Sequence, residues 1–221
     1  VPVDKYGVVN PEDVKNAIKE DTILVSIMYA NNEVGTIQPI EEIGKICKQE
    51  KVIFHTDACQ GGGTLELDVD KLNVDLMTLN GSKIYGPKGV GVLYKSSSVK
   101  LIPLIHGGGQ EFGLRSGTEN VPFIVGFTKA LELGHKERHK ENKRLIELRT
   151  FLEQSIIKTI SKSFLNGHPT KRLPNNVNIT IADIEGEAMM LYLNKYGICA
   201  SSGSACTSAT LEPSHVILAM N

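Results

Sequence analysis

Residues 22–29, TILVSIMY, form an unbroken run of apolar and β-branched side chains, and no other feature of this 221-residue chain constrains its fold as much. A strand with one wet face alternates polar and apolar residues, whereas a continuous run suits a strand covered on both faces, as in parallel sheets. Parallel neighbours need crossover connections, usually helical. The flanking sequence supplies them. Asn10 is a candidate N-cap, Pro11 a first helical residue, and Glu12 and Asp13 favourable charges for a first turn. Residues 39–50 read as a second helix, 52–58 as a second strand, 76–80 as a third and 90–94 as a fourth. This alternation predicts an α/β layer with a mainly parallel sheet and helices on both faces.

Beyond Val99 the texture changes. A glycine-rich stretch, His106-Gly107-Gly108-Gly109, precedes a long helical pattern over 122–157, whose charged middle, 134–144, reads as a solvated face. Residues 177–181 read as a strand and 186–196 as a helix, followed by a Ser/Gly/Ala-rich loop around Cys206. A domain boundary is expected near residue 139, with 1–139 forming the α/β part and 140–221 a smaller α+β domain. Val1 to Asp4 read as the end of a strand whose predecessors are missing, so an interior start is expected.

The composition, 41% hydrophobic and 22% charged with a net charge of -1, is that of a globular protein without a basic footprint. Nucleic-acid and membrane-surface partners are therefore not expected, which leaves small molecules and proteins. The four cysteines follow neither a disulfide framework nor the paired spacing of a zinc site, so a reducing cytoplasm is expected and no metal. No signal-peptide pattern opens the chain, and no apolar run approaches the roughly 20 residues of a membrane span.

Three constellations can carry chemistry. In Asn80-Gly81-Ser82-Lys83, a lysine follows a strand end and small polar residues; a neutral lysine amine can form a Schiff base with a carbonyl cofactor, and its neighbours can hydrogen-bond an anion. Alone, such a lysine reads as a solvated charge. Asp57-Ala58-Cys59-Gln60 places a carboxylate at the end of a strand, where open α/β sheets bind ligands. It could pair with a protonated ring nitrogen, or simply cap the next element. Asn31-Asn32-Glu33 repeats the polar strand end. Finally, Ser201 to Ser208 surrounds one thiol, Cys206, with small residues that leave it reachable. Cys47, Cys59 and Cys199 read as packing residues.

Together these segments resemble the NifS/IscS-type cysteine desulfurases of the class V aminotransferase family, fold-type I enzymes dependent on pyridoxal 5'-phosphate (PLP). The resemblance rests on NNEVGT at 31–36, HTDACQ at 55–60, NGSKIYGPKGVG at 80–91, HGGGQEFGLRSGTEN at 106–120 and SSGSACTSATLEPS at 201–214, in the family's order. It implies Lys83 as the Schiff-base lysine, Asp57 opposite the pyridine nitrogen, Gln60 on the phenolic oxygen and Asn32 as a ring contact. Asn80, Gly81 and Ser82 occupy the phosphate-binding stretch. Thr118 resembles the residue that reaches the phosphate of a neighbouring subunit's cofactor, which implies a homodimer. Cys206 matches the persulfide-forming cysteine.

The resemblance further implies conversion of L-cysteine to alanine with sulfur left on Cys206, then passed to an acceptor such as an iron–sulfur scaffold. Residues 1–139 become the C-terminal part of the large PLP-binding domain and 140–221 part of the small one. Two departures stand out. Ser82 occupies the position where the family usually has a histidine before the lysine, so it cannot act as a titrating base there. The chain also looks like a fragment lacking both termini. Alternatives left open are a selenocysteine lyase or other class V transferase, and an inactive fragment or interaction module.

Overall fold

In the computed structural model, which describes residues 1–203 and 214–220, the first helix begins where its sequence signals place it. Helix α1 (Pro11–Ala17) carries Glu12 and Asp13 in its first turn, and the Asn10 side chain accepts a hydrogen bond from Glu12 N at 3.2 Å. Upstream, Val3 forms only an isolated antiparallel bridge with Val9. Asp4 Oδ1 accepts from Tyr6 N and Val8 N, both at 2.9 Å. Residues 1–4 are therefore one arm of a local turn, not the expected strand end, because the Asp4 side chain satisfies the turn's amides from within.

The chain divides into two compact units, Ile18–Tyr29 with Ile40–His139, and Val1–Ala17 with Ala30–Pro39 and Lys140–Asn221. The first holds a four-stranded sheet in the order β1 (Leu24–Met28), β2 (Ile53–Asp57), β3 (Leu76–Asn80), β4 (Gly91–Lys95). The pairs β1–β2 and β2–β3 are parallel, as expected, and β4 runs antiparallel to β3. The reversal follows from the connection: residues 81–90 are too few for the dozen or so that a parallel crossover needs. The apolar run of β1 is only partly covered, with Ile23 81% and Leu24 45% exposed. None of the residues of β1 is fully buried, so the expectation of burial on both faces is not met.

Helix α2 (Ile40–Glu50) packs on β2 and on the short α3 (Val69–Leu72), turning Ile40, Ile43, Gly44 and Cys47 inward. In β2 the side chains alternate, so that Phe54 and Thr56 are fully buried while His55 and Asp57 face the other way. Each large apolar side chain buried in this layer contributes about 1.5–3 kcal/mol. Thr56 is tolerated there because its hydroxyl donates to Ile27 O at 2.9 Å.

Helix α4 (Val121–Thr159) passes from the first unit into the second between His139 and Lys140. Its charged middle is largely solvated, as the sequence predicts. Arg138 is an exception: it donates to Leu65 O at 2.7 Å and pairs with Glu66 at 3.4 Å, holding the Glu66 carboxyl below its usual range. The second unit adds β5 (Ser163–Leu165) antiparallel to β6 (Ile179–Ile181), then α5 (Gly186–Lys195) and α6 (His215–Ala219). Glu185 caps α5 and Ser214 caps α6 through their side-chain oxygens. Among the described residues no helix is long and apolar enough to cross a membrane.

Candidate active site

Asp57 ends β2, directly opposite Thr78 of β3. Its carboxylate is exposed, with Oδ1 accepting from Cys59 N at 2.9 Å. Two residues back on the same face, His55 shares a 2.8 Å hydrogen bond with Ser26 of β1, and burial lowers its pKa against the opposing pull of Asp57. Three residues beyond Asp57, Gln60 is half-buried.

Strand β3 leads straight into a 3-10 turn, Gly81–Ile84, that carries Lys83 on its exposed side. Asn80 caps this turn: its Oδ1 accepts from Ser82 N and from the Ser82 hydroxyl, both at 2.8 Å. Behind it the chain is drawn tight. Gly81 N donates to Val90 O at 3.0 Å, Gly86 N donates to Gly81 O at 2.9 Å, and a Cβ on Gly81 would stand 2.8 Å from Pro87 O. Only glycine fits there, and this fixes where Lys83 leaves the sheet.

Cys59 joins the two strand ends. Its thiol is pushed up to about 12, first by burial and then by the neighbouring Asp57 carboxylate; Thr78 and Lys83 pull the other way. Asp57, Cys59, Thr78 and Lys83 therefore share one small region of the first unit. The half-buried Cys59 side chain is compatible with the packing role expected from the sequence. Thr118 belongs to the same unit, exposed in the segment before α4.

Asn32 belongs to the second unit, exposed on a turn whose neighbours are buried. The turn is over-determined. Asn31 Oδ1 accepts from Glu33 N and Val34 N at 2.8 and 3.0 Å, Arg172 donates to Val34 O at 2.7 Å, and Asn176 and Asn178 donate to Glu33 O at 2.9 and 3.1 Å. Cys206, the candidate nucleophile, lies outside the described residues.

A labelling pattern follows from these environments. Burial raises Cys47 to about 11, while Cys199 is exposed. At pH 8 the thiolate fractions of Cys47 and Cys59 would be about 10⁻³ and 10⁻⁴, so iodoacetamide is expected to modify Cys199 and spare both. Peptide mass spectrometry reads this directly, and labelling of Cys59 as fast as Cys199 would show that burial and the Asp57 carboxylate do not hold its proton.

A lysine and a carboxylate thus stand at the ends of adjacent strands of the α/β sheet. The aminotransferase class-V family profile matches residues 1–221. The chain belongs to that family. Within it, the chain is 57% identical over 219 residues to the cysteine desulfurase IscS of Methanosarcina thermophila, covering 99% of this chain and 54% of that protein. Among solved structures, a NifS-like protein superposes with a TM-score of 0.90 at 40% identity, covering 100% of this chain and 57% of the other. SspA in complex with cysteine gives 0.81 at 36% identity, with coverage of 100% and 60%. The chain spans about half the length of the curated relatives it matches.

Proposed function

We propose that this chain is part of a PLP-dependent cysteine desulfurase, with Lys83 holding the cofactor covalently and Cys206 taking the sulfur. The single observation that carries the reading is the placement of Asp57 and Lys83 at neighbouring strand ends, in a chain 57% identical to a cysteine desulfurase. These residues fit PLP: an exposed carboxylate can oppose the ring nitrogen, and an exposed amine on a tightly held turn can reach the aldehyde. Gln60 and Asn32 are assigned to the ring, and Asn80, Gly81 and Ser82 to the phosphate. Because the Ser82 hydroxyl already donates to Asn80, it must give up that bond to serve the phosphate.

When bound, PLP supplies the electron withdrawal that labilises the bonds at the substrate's Cα and Cβ. Asp57 keeps the ring nitrogen charged, and the Lys83 amine moves the Cα proton. Cys206 thiolate attacks the substrate sulfur; its S–S bond forms as the substrate's C–S bond breaks and carbon takes a proton. The net change is L-cysteine and a Cys206 thiol giving alanine and a Cys206 persulfide. An acceptor protein such as an iron–sulfur scaffold would then receive the sulfur. A cytoplasmic setting is part of the proposal. A homodimer is part of the proposal: Ile102, Leu104 and Phe112, in the segment leading to Thr118, stand 86%, 93% and 99% exposed, and a second copy would cover them. On this reading residues 1–139 belong to the large domain and 140–221 to the small one.

Cys206→Ser in the full PLP-loaded chain tests the assignment. It is expected to abolish alanine formation from L-cysteine while leaving the visible absorption of the bound cofactor intact. Surviving sulfur release would sink the role of Cys206 and favour a lyase or other class V transferase. A chain that never develops visible absorption with PLP would instead be an interaction module.

A further inference from the structure

We propose that Glu33 is a positioning residue that ties the base of the Cys206 segment to the turn carrying Asn32; the proposal rests on the desulfurase reading above. Glu33 is 6% exposed, an unusual place for a carboxylate unless it is held. Its Oε2 accepts a hydrogen bond from the Ser214 hydroxyl at 2.5 Å, the short contact of a charge-assisted bond. Ser214 in turn accepts from Val216 N at 3.1 Å and so starts α6. On the other side of the segment, Gly203 turns at φ 73°. A Cβ built on it would lie 3.8 Å from both Glu33 Oε2 and the Ser214 Cβ. The two residues that bracket 204–213 therefore converge on one buried carboxylate.

The turn beneath that carboxylate does not depend on it. Its main chain is fixed by Asn31, Arg172, Asn176 and Asn178 as described above, and Gly35 and Gly167 allow the close approach. A Cβ on Gly35 would stand 2.7 Å from Asn176, and one on Gly167 2.5 Å from Val34 O. Removing the Glu33 side chain thus releases the Ser214 end while leaving Asn32 in place. Cys206 lies three residues past Gly203 in the chain, so release of the Ser214 anchor is expected to slow the step that uses its thiol. Misplacement by about 1 Å can cost 10²-fold in rate.

The test uses the full PLP-loaded chain with Glu33→Ala, Glu33→Gln and Ser214→Ala. Glu33→Ala is expected to lower kcat for alanine formation about 10²-fold, with KM and the cofactor's visible band unchanged. Glu33→Gln keeps an acceptor for the Ser214 hydroxyl and should restore most of the rate. Ser214→Ala should lower kcat as well, and combining it with Glu33→Ala should add little further loss. Independently of turnover, alkylation of Cys206 relative to Cys199 should accelerate about tenfold in Glu33→Ala. Wild-type kcat in Glu33→Ala, loss of the visible band in parallel with the rate, or additive losses in the double variant would overturn the proposal. If the parent chain forms no alanine, the desulfurase reading fails on its own, and the alkylation ratio decides the tether: a rise supports it, and an unchanged ratio overturns it.

Discussion

Lys83→Ala is expected to leave the full chain folded and to abolish covalent retention of PLP. The side chain is exposed, and its removal disturbs none of the hydrogen bonds that set the turn: Asn80 still caps Ser82, and Gly81 still pairs with Val90 and Gly86. Stability should therefore change by less than about 0.5 kcal/mol, as for other exposed positions away from caps and cores. Borohydride treatment followed by denaturation should leave cofactor on the Lys83 peptide of the parent chain and none on the variant. Turnover should fall about 10³-fold or more, since both the attachment point and the amine that moves the Cα proton are lost. Lys88, five residues on and also exposed, is the control; Lys88→Ala should retain cofactor on Lys83. Cofactor trapped on another lysine in Lys83→Ala would remove Lys83 from the site altogether.

The elements that placed this site were legible because they are local. Strand β3 ends at Asn80, where the polar NGSK sequence interrupts an apolar run, and α1 starts after Asn10 because cap, proline and acidic first turn agree. Less legible were features set by distant partners. Strand β5 is three residues long and exists only by pairing with β6. The α3 and α6 helices, of four and five residues, carry too little periodicity to be read. Glu33 was visible as a polar residue after a strand, but its partner Ser214 lies 181 residues away. Arg172 drew no notice in the sequence, yet it is 3% exposed and bonds to Val34 O and Asn166 O.

Gly44→Ala should destabilise the chain although alanine is the better helix former. Within α2 the substitution alone would favour folding by about 1 kcal/mol. The added Cβ, however, would lie 2.3 Å from Leu72 O, 2.9 Å from Asn73 O and 3.0 Å from the Asn73 Cβ. The closest of these are main-chain atoms, and they cannot swing aside. Asn73 sits at φ 53° closing α3, its N–H donating to Asp70 O, and Val74 N donates to Val69 O. Overpacking of this kind costs about 1–3 kcal/mol, which after the helix gain leaves a net loss of up to about 2 kcal/mol for alanine and a larger one for Gly44→Val. Urea titration should show a lowered midpoint at constant slope. The strain has a route to the site. Asp75 follows at once and links β3 to β2: its carboxylate accepts from Phe54 N at 2.9 Å, and its own N–H donates to Phe54 O at 2.9 Å. A displaced Asn73 therefore shifts β3 against β2, and with it Lys83 against Asp57. Gly44→Val should accordingly weaken PLP retention even where the chain remains folded. A neutral or stabilising Gly44→Ala would mean that α2 and α3 can separate without cost, and the positioning of Lys83 would then depend only on the turn around Gly81.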